Sequence, residues 1–324
     1  MIGRGRSTGR VAFVLRRINP AIASTVILIG GLFVIGLVLA DRFGTVSNVS
    51  NIYRYSAPLL FASLGQTLVI LTGGIDLSIG SIISVAAVLT SGQIDGKPEL
   101  VVPVVVSVLF LGLLIGMING FLVNMLQVHP LIITLGMSAI LQGLALLYSM
   151  NPVGSVPSEF EDFAFGTIVG LPVGALAATL LLISVALALK YTRTGRQFYA
   201  VGANRVSAQL AGLSVNRVTL MAFAFSGLTA AASGVYLVSL LGTGNPIMGQ
   251  GYELLSITPV VIGGTALSGG KGGVLGTLFG VLLLSLLNSL LNFLQVSTYY
   301  QWVVQGLIIL VAVSIFAERR VIAK

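Results

Sequence analysis

Apolar runs long enough to cross a lipid bilayer follow one another along almost the whole sequence, separated by short polar turns. A hydrocarbon core about 30 Å thick takes about 20 residues of helix, and inside it each segment must satisfy its own backbone amides. The fold class this dictates is all-α: a polytopic membrane protein with about ten transmembrane helices. The spans fall near residues 20–40, 56–72, 79–94, 100–124, 131–150, 167–189, 218–241, 254–265, 274–294 and 301–316. Composition agrees, since 8% of the residues are charged against about 25% in soluble domains. The Arg-rich start followed by an apolar stretch suggests a signal peptide. That stretch, however, exceeds the roughly 7 to 15 residues of a typical signal core, so it reads as a retained first span.

The chain has 17 Lys and Arg against 9 Asp and Glu. Arg4, Arg6, Arg10, Arg16 and Arg17 precede the first span, Lys190, Arg193, Arg196, Arg205 and Arg217 fill one middle loop, and Arg319, Arg320 and Lys324 close the chain. Cationic loops stay on the cytoplasmic side, and an even number of spans puts both termini there. The organisation expected is a basic cytoplasmic segment 1–19, a transmembrane domain 20–317 with a cytoplasmic loop 190–217, and a cytoplasmic tail 318–324. Acidic residues Asp41, Asp95, Glu99, Glu159, Glu161, Asp162 and Glu253 gather in the opposite loops. The positive charge is thus explained by topology, and no nucleic acid is expected as a partner. There is no Cys, and the one His, His129, directly precedes Pro130. Thiolate metal sites, sulfur redox chemistry and Ser/His/Asp triads have no material to be built from, so no catalytic residue and no metal ligand is assigned.

Three spans are poor as simple rods. Those near 56–72, 79–94 and 254–265 are short and interrupted by Gly pairs, the pattern that marks a transport path in membrane proteins. The first break reads GGIDLSIG over residues 73–80, with Gly73, Gly74 and Gly80; the second reads GGTALSGG over 263–270, with Gly263 and Gly264. Pairing them at an offset of 190 suggests an internal repeat in one orientation. Pairing GIDLSI with GYELLSI, which sets Asp76 beside Glu253, suggests an inverted one, and the two pairings exclude each other. Asp76 lies between two apolar spans with no proper loop around it. It is either a polar point on a translocation path, with Ser78 beside it, or an N-cap for the helix that follows, and the two roles can coexist. Ser285, Asn288, Asn292 and Gln295 share one helical face, as do Gln301 and Gln305. Such amide stripes suit neutral polyhydroxyl ligands, and they suit hydrogen bonds between helices equally. Gln66, Asn119, Asn124 and Gln142 have the same two readings. No run of embedded carboxylates or histidines could relay protons, which counts against a proton-driven carrier.

The segment LSGGK, residues 267–271, looks like an ATPase signature, but no Gly-Lys here has the spacing of a phosphate loop. The chain has no nucleotide site or cofactor of its own, and any ATP is hydrolysed by a partner. The loop 190–217 reads as a short helix across the cytoplasmic face, and its apolar residues Val206, Leu210 and Leu213 are more than a solvated connector needs. GGIDLSIGSI, TRTGRQFYAVGANRVSAQLAGLSVNRV and GQGYELLSITPVVIGGTALSGGKGGVLGTL, in this order, resemble the ribose-type monosaccharide permease family of bacterial ABC importers over residues 56–315. The resemblance implies a bacterial inner-membrane permease that translocates a ribose-like monosaccharide. It implies a cytoplasmic ABC ATPase, a periplasmic or surface-tethered sugar-binding protein and a second permease copy, identical or related, as partners. It makes residues 204–212, with Asn204, Arg205, Val206, Leu210, Gly212 and Leu213, the segment seated on the ATPase. The translocation path expected is bordered by Asp76, Ser78, Gln66, Asn119, Asn288, Asn292 and Glu253. Leu255 stands where relatives commonly carry Asp, so a polar group often present there is absent. The rival readings are an ABC permease for a branched-chain amino acid, a nucleoside or a furanose-like signal, an ion-coupled carrier working through Asp76 or Glu253, and a membrane enzyme.

Overall fold

The computed structural model describes residues 20–316. The basic segment 1–19, Arg319, Arg320, Lys324 and the rest of the tail lie outside the described residues. The helices are α1 (Pro20–Leu39), α2 (Val46–Leu71), α3 (Ile79–Ile94), α4 (Val101–Leu126), α5 (Pro130–Tyr148), α6 (Ser158–Phe165), α7 (Val173–Tyr191), α8 (Arg193–Ala203), α9 (Arg205–Leu210), α10 (Val215–Leu241), α11 (Tyr252–Leu255), α12 (Ile257–Ile262), α13 (Val274–Phe293) and α14 (Thr298–Phe316). Among the described residues the only paired strands are the two-residue arms Thr167–Ile168 and Leu171–Pro172. Among the described residues six helices are long and apolar enough to cross a membrane: Ala21–Leu39, Pro98–Leu126, Pro130–Tyr148, Val173–Tyr191, Val215–Leu241 and Val274–Phe293.

Helix α10 is the axis of the molecule. Helix α4 runs antiparallel to it in close approach: a methyl on Gly112 would strike the Ala231 methyl and the Gly227 carbonyl, and one on Gly116 the Phe223 carbonyl. Small residues allow such approach, and in lipid close packing replaces the hydrophobic effect as the force between helices. On another side α2 is also antiparallel. Pro58 inside α2 has no amide to give the Arg54 carbonyl, and Tyr236 Oη of α10 donates to that oxygen at 3.1 Å. Ser233 Oγ donates to the Pro58 carbonyl at 2.9 Å. Helix α3 runs in the same direction as α10, its Ile83 and Ala86 packed on Gly234, so the chain reverses around α10 between α2 and α3.

Three expected spans are redrawn. Helix α2 begins at Val46 rather than 56, because its polar first half is internally satisfied: Thr45 caps it, Asn48 Nδ2 donates to the Phe43 carbonyl at 2.8 Å, and Arg54 Nε to the Ala164 carbonyl at 2.9 Å. It is a continuous 26-residue helix, and the break follows it instead of interrupting it. Helix α7 begins at Val173 because residues 167–172 form the small hairpin. The expected span 254–265 is two short helices, α11 and α12, reached by a non-helical stretch that descends along α3: Gly244 lies against Ala87 and Gly249 against the Gly80 carbonyl. Helices α12 and α13 then form a tight antiparallel pair, with Gly263 on Gly276 and Pro259 on Gly280.

Candidate functional site

The first break starts where α2 stops. The Gly74 amide donates to the Val69 carbonyl at 3.0 Å and the Gly73 amide to that of Ile70 at 2.8 Å. This closes the helix through a left-handed residue, Gly73 at φ +81. Helix α12 ends the same way through Gly264 at φ +85, with Thr265 donating to Val260 at 3.1 Å and Gly264 to Val261 at 2.9 Å. The two caps therefore correspond as 73 and 264, one residue away from the pairing of 73 with 263 expected from the sequence. The breaks also touch: the Gly270 amide donates to the Leu71 carbonyl at 3.0 Å.

Beyond Gly74 the chain presents Asp76, which is fully buried. Its Oδ1 accepts from the Ser78 amide at 3.0 Å and from Ser78 Oγ at 2.6 Å, and its Oδ2 accepts from Ser226 Oγ at 2.7 Å. Asn119 Nδ2 of α4 donates to Ser78 Oγ at 2.8 Å, and Gln66 Oε1 of α2 accepts from the Asp76 amide at 3.3 Å. Asp76 holds the turn leading into α3 and ties α10 to it; the cap position itself falls on Ser78, two residues beyond the one expected from the sequence. Ser226 is 11 residues from the start of α10, about 16 Å along it at 1.5 Å per residue, so the cluster sits at membrane depth. Two buried atoms in it, Gln66 Nε2 and Asn119 Oδ1, have no hydrogen-bond partner. One is a donor and the other an acceptor, the complement a hydroxyl group or a water satisfies.

Glu253, placed in an outer loop from the sequence, is instead drawn inward: its carboxylate lies over Gly80, where a methyl would collide with it. Asn288 and Asn292 lie elsewhere, toward the far end of α13. Their Oδ1 atoms accept from Gln305 Nε2 at 3.0 Å and Gln301 Nε2 at 2.8 Å, so the amide stripes join α13 to α14. The two asparagines also line, with Asn48, Asn51 and Tyr55 of α2, a cavity of about 250 Å³. Asn124 and Gln142 are structural ties, to the Asn216 carbonyl at 2.8 Å and the Pro246 carbonyl at 2.9 Å.

The loop 190–217 is two helices rather than one. Asn204 caps α9, its Oδ1 accepting from the Ser207 amide at 2.9 Å, and Gly212 ends the turn at φ +79. Val206 and Leu210 are 67% and 85% exposed on α9, while Leu213 packs against the core. Arg205 is held by Asn124 Oδ1 at 3.1 Å. Sequence reasoning missed Ser226, whose link to Asp76 spans 150 residues, and it missed α8, whose Tyr199 and Gly202 reach the breaks.

Long apolar helices, two glycine-closed breaks that touch each other and an amphipathic loop with exposed leucine and valine together define a membrane permease component. The chain belongs to the family described as branched-chain amino acid transport system / permease component, whose model matches residues 48–313. It is 36% identical over 282 residues to the ribose import permease protein RbsC of Escherichia coli, covering 86% of this chain and 88% of the relative. It is 33% identical over 294 residues to the D-allose transport system permease protein AlsC of Escherichia coli, with 88% and 90% covered. It is 34% identical over 310 residues to the fructose import permease protein FrcC of Rhizobium meliloti, with 92% and 85% covered. No solved structure matches.

Proposed function

We propose that this chain is the membrane permease subunit of an ATP-driven ABC importer for a monosaccharide, resident in the bacterial cytoplasmic membrane. The observation that carries the reading is that relatives matched over more than four fifths of both chains are named for ribose, D-allose and fructose. The family description mentions branched-chain amino acids, but these individual relatives favour a sugar, and a permease component needs no ion coupling through Asp76 or Glu253. Ten spans are read here, namely α1, α2, α3, α4, α5, α7, α10, α12, α13 and α14, alternating in direction, with both termini cytoplasmic.

In this reading α9 is the segment that seats on a cytoplasmic ABC ATPase, with Val206 and Leu210 as the contact and Asn204, Arg205, Gly212 and Leu213 fixing its position. A periplasmic or surface-tethered binding protein delivers the sugar to the opposite face, and a second permease copy completes the pore. The amide-lined cavity with Asn288 and Asn292 receives the sugar. The cluster of Gln66, Asp76, Ser78 and Asn119, with Glu253 above Gly80, borders the path at depth. ATP binding to the partner moves α9 and shifts the spans between outward- and inward-open states, which requires the ligands to bind the two states unequally. The chain contributes no covalent chemistry, cofactor or metal site.

The test is to tag the chain, extract it gently from its own membranes, and identify by mass spectrometry what copurifies. Recovery of an ABC ATPase, with ATP-dependent uptake of a labelled pentose or hexose by the reconstituted complex, is the expected result. A chain that purifies alone and transports on an ion gradient overturns the reading.

A further inference from the structure

The two breaks and the cytoplasmic loop meet at one point, and that point is on α8. A methyl placed on Gly202 would collide with the Leu71 carbonyl, the last residue of α2, and come within 2.5 Å of the Gly270 amide. Those two atoms are the ones that join the breaks, at 3.0 Å, so Gly202 lies on the bond itself. From the other side, a methyl on Gly269 would approach the Gly202 carbonyl at 3.0 Å and the Gly73 amide at 2.8 Å, and one on Gly270 the Ala203 amide at 2.6 Å. Three residues before Gly202, on the same face of α8, Tyr199 Oη donates to the Gly272 carbonyl at 3.1 Å. Burial pushes the Tyr199 phenol above its ordinary value of 10.0, so it remains a neutral donor at physiological pH. The far end of α8 is anchored as firmly, since Gly195 packs on the Ala188 and Leu189 carbonyls of α7 and its amide donates to Thr192 Oγ1 at 2.9 Å. A single residue, the Asn204 cap, joins α8 to α9.

We propose that α8 is the strut through which movement of α9 reaches both breaks, with Gly202 and Tyr199 as its positioning residues. The inference rests on the reading of α9 as the ATPase contact. Packed backbones transmit displacement because they have discrete arrangements and no slack. Gly202 supplies the absence of slack at the first break and at 269–270; Tyr199 supplies it at Gly272. Motion of α9 therefore displaces the end of α2 and the loop before α13 together, which is what an all-or-none change of access requires.

The experiment compares the wild-type complex with Gly202→Ala and Tyr199→Phe, reading three quantities for each: copurified ATPase, ATP hydrolysis, and sugar uptake in proteoliposomes. Gly143 has nothing within 4 Å of an added methyl, and Gly143→Ala is the control. Gly202→Ala is expected to keep the ATPase and its hydrolysis while uptake per ATP falls about tenfold. Tyr199→Phe removes one hydrogen bond without adding bulk, so it folds even if Gly202→Ala does not, and a fall of about two- to threefold in the same ratio is expected. A purely structural role would lower all three quantities in proportion and leave the ratio unchanged. An unchanged ratio in Tyr199→Phe, or in a folded Gly202→Ala, overturns the inference. Failure of the wild-type protein to couple ATP to uptake overturns the functional reading instead.

Discussion

At the scale of single residues, Asp76 and Gly116 carry the most. The Asp76 carboxylate takes three donors at 2.6 to 3.0 Å in a site closed to solvent. Asp76→Leu strands all three, at about 1 to 3 kcal/mol apiece, and should abolish recovery of folded protein in detergent. Asp76→Asn keeps one acceptor oxygen and should be recovered folded but melt below wild type. Recovery of Asp76→Leu with a wild-type melting curve would refute this account. Gly116 lies with its Cα against the Phe223 carbonyl, so Gly116→Val forces α4 off α10. The expected outcome is loss of a monodisperse peak in size-exclusion chromatography, whereas Gly143→Val, on an open surface, keeps it.

At the scale of elements, α9 offers an apolar side chain that the fold itself does not use. Leu210→Arg should leave the melting temperature within a degree or two of wild type, since a surface change away from packing alters stability by about 0.5 kcal/mol or less. It should nonetheless lose the copurifying ATPase, and retention of that partner would place the contact elsewhere. Much of this architecture is legible in the amino-acid sequence: the limits of α3, the glycine break before it and the apolar face of α9 all follow from local spacing. What escapes is satisfied at long range. The start of α2 reads as a loop because Asn48 and Arg54 lower its hydropathy, and only the folded chain shows Phe43 and Ala164 taking up their donors. Ser226 is one serine among many until Asp76 is brought against it. Gly202 sits in an unremarkable polar loop, and its meaning comes from two carbonyl and amide groups that belong to distant breaks. The approach to Glu253 escapes for a related reason: the descending stretch before α11 is without helix and has no hydropathy signature.

At the scale of the whole molecule, the proposed dependence on a partner ATPase predicts what drives transport. Uptake by the reconstituted complex with ATP inside the vesicles should be unchanged when protonophores and ionophores collapse all gradients, and it should stop when ATP is removed. Loss of uptake on collapse alone would reassign Asp76 to ion coupling. The half-length pair α11 and α12 has a different consequence, for biogenesis. Its ten helical residues are too few to partition into lipid alone, where about 20 are needed, and the stretch before it leaves backbone amides unpaired within any single segment. As the chain emerges from the ribosome, this part cannot enter the bilayer when it is made. It can settle only against a sheltered wall of protein, which α3 and α10 provide because both are made before it.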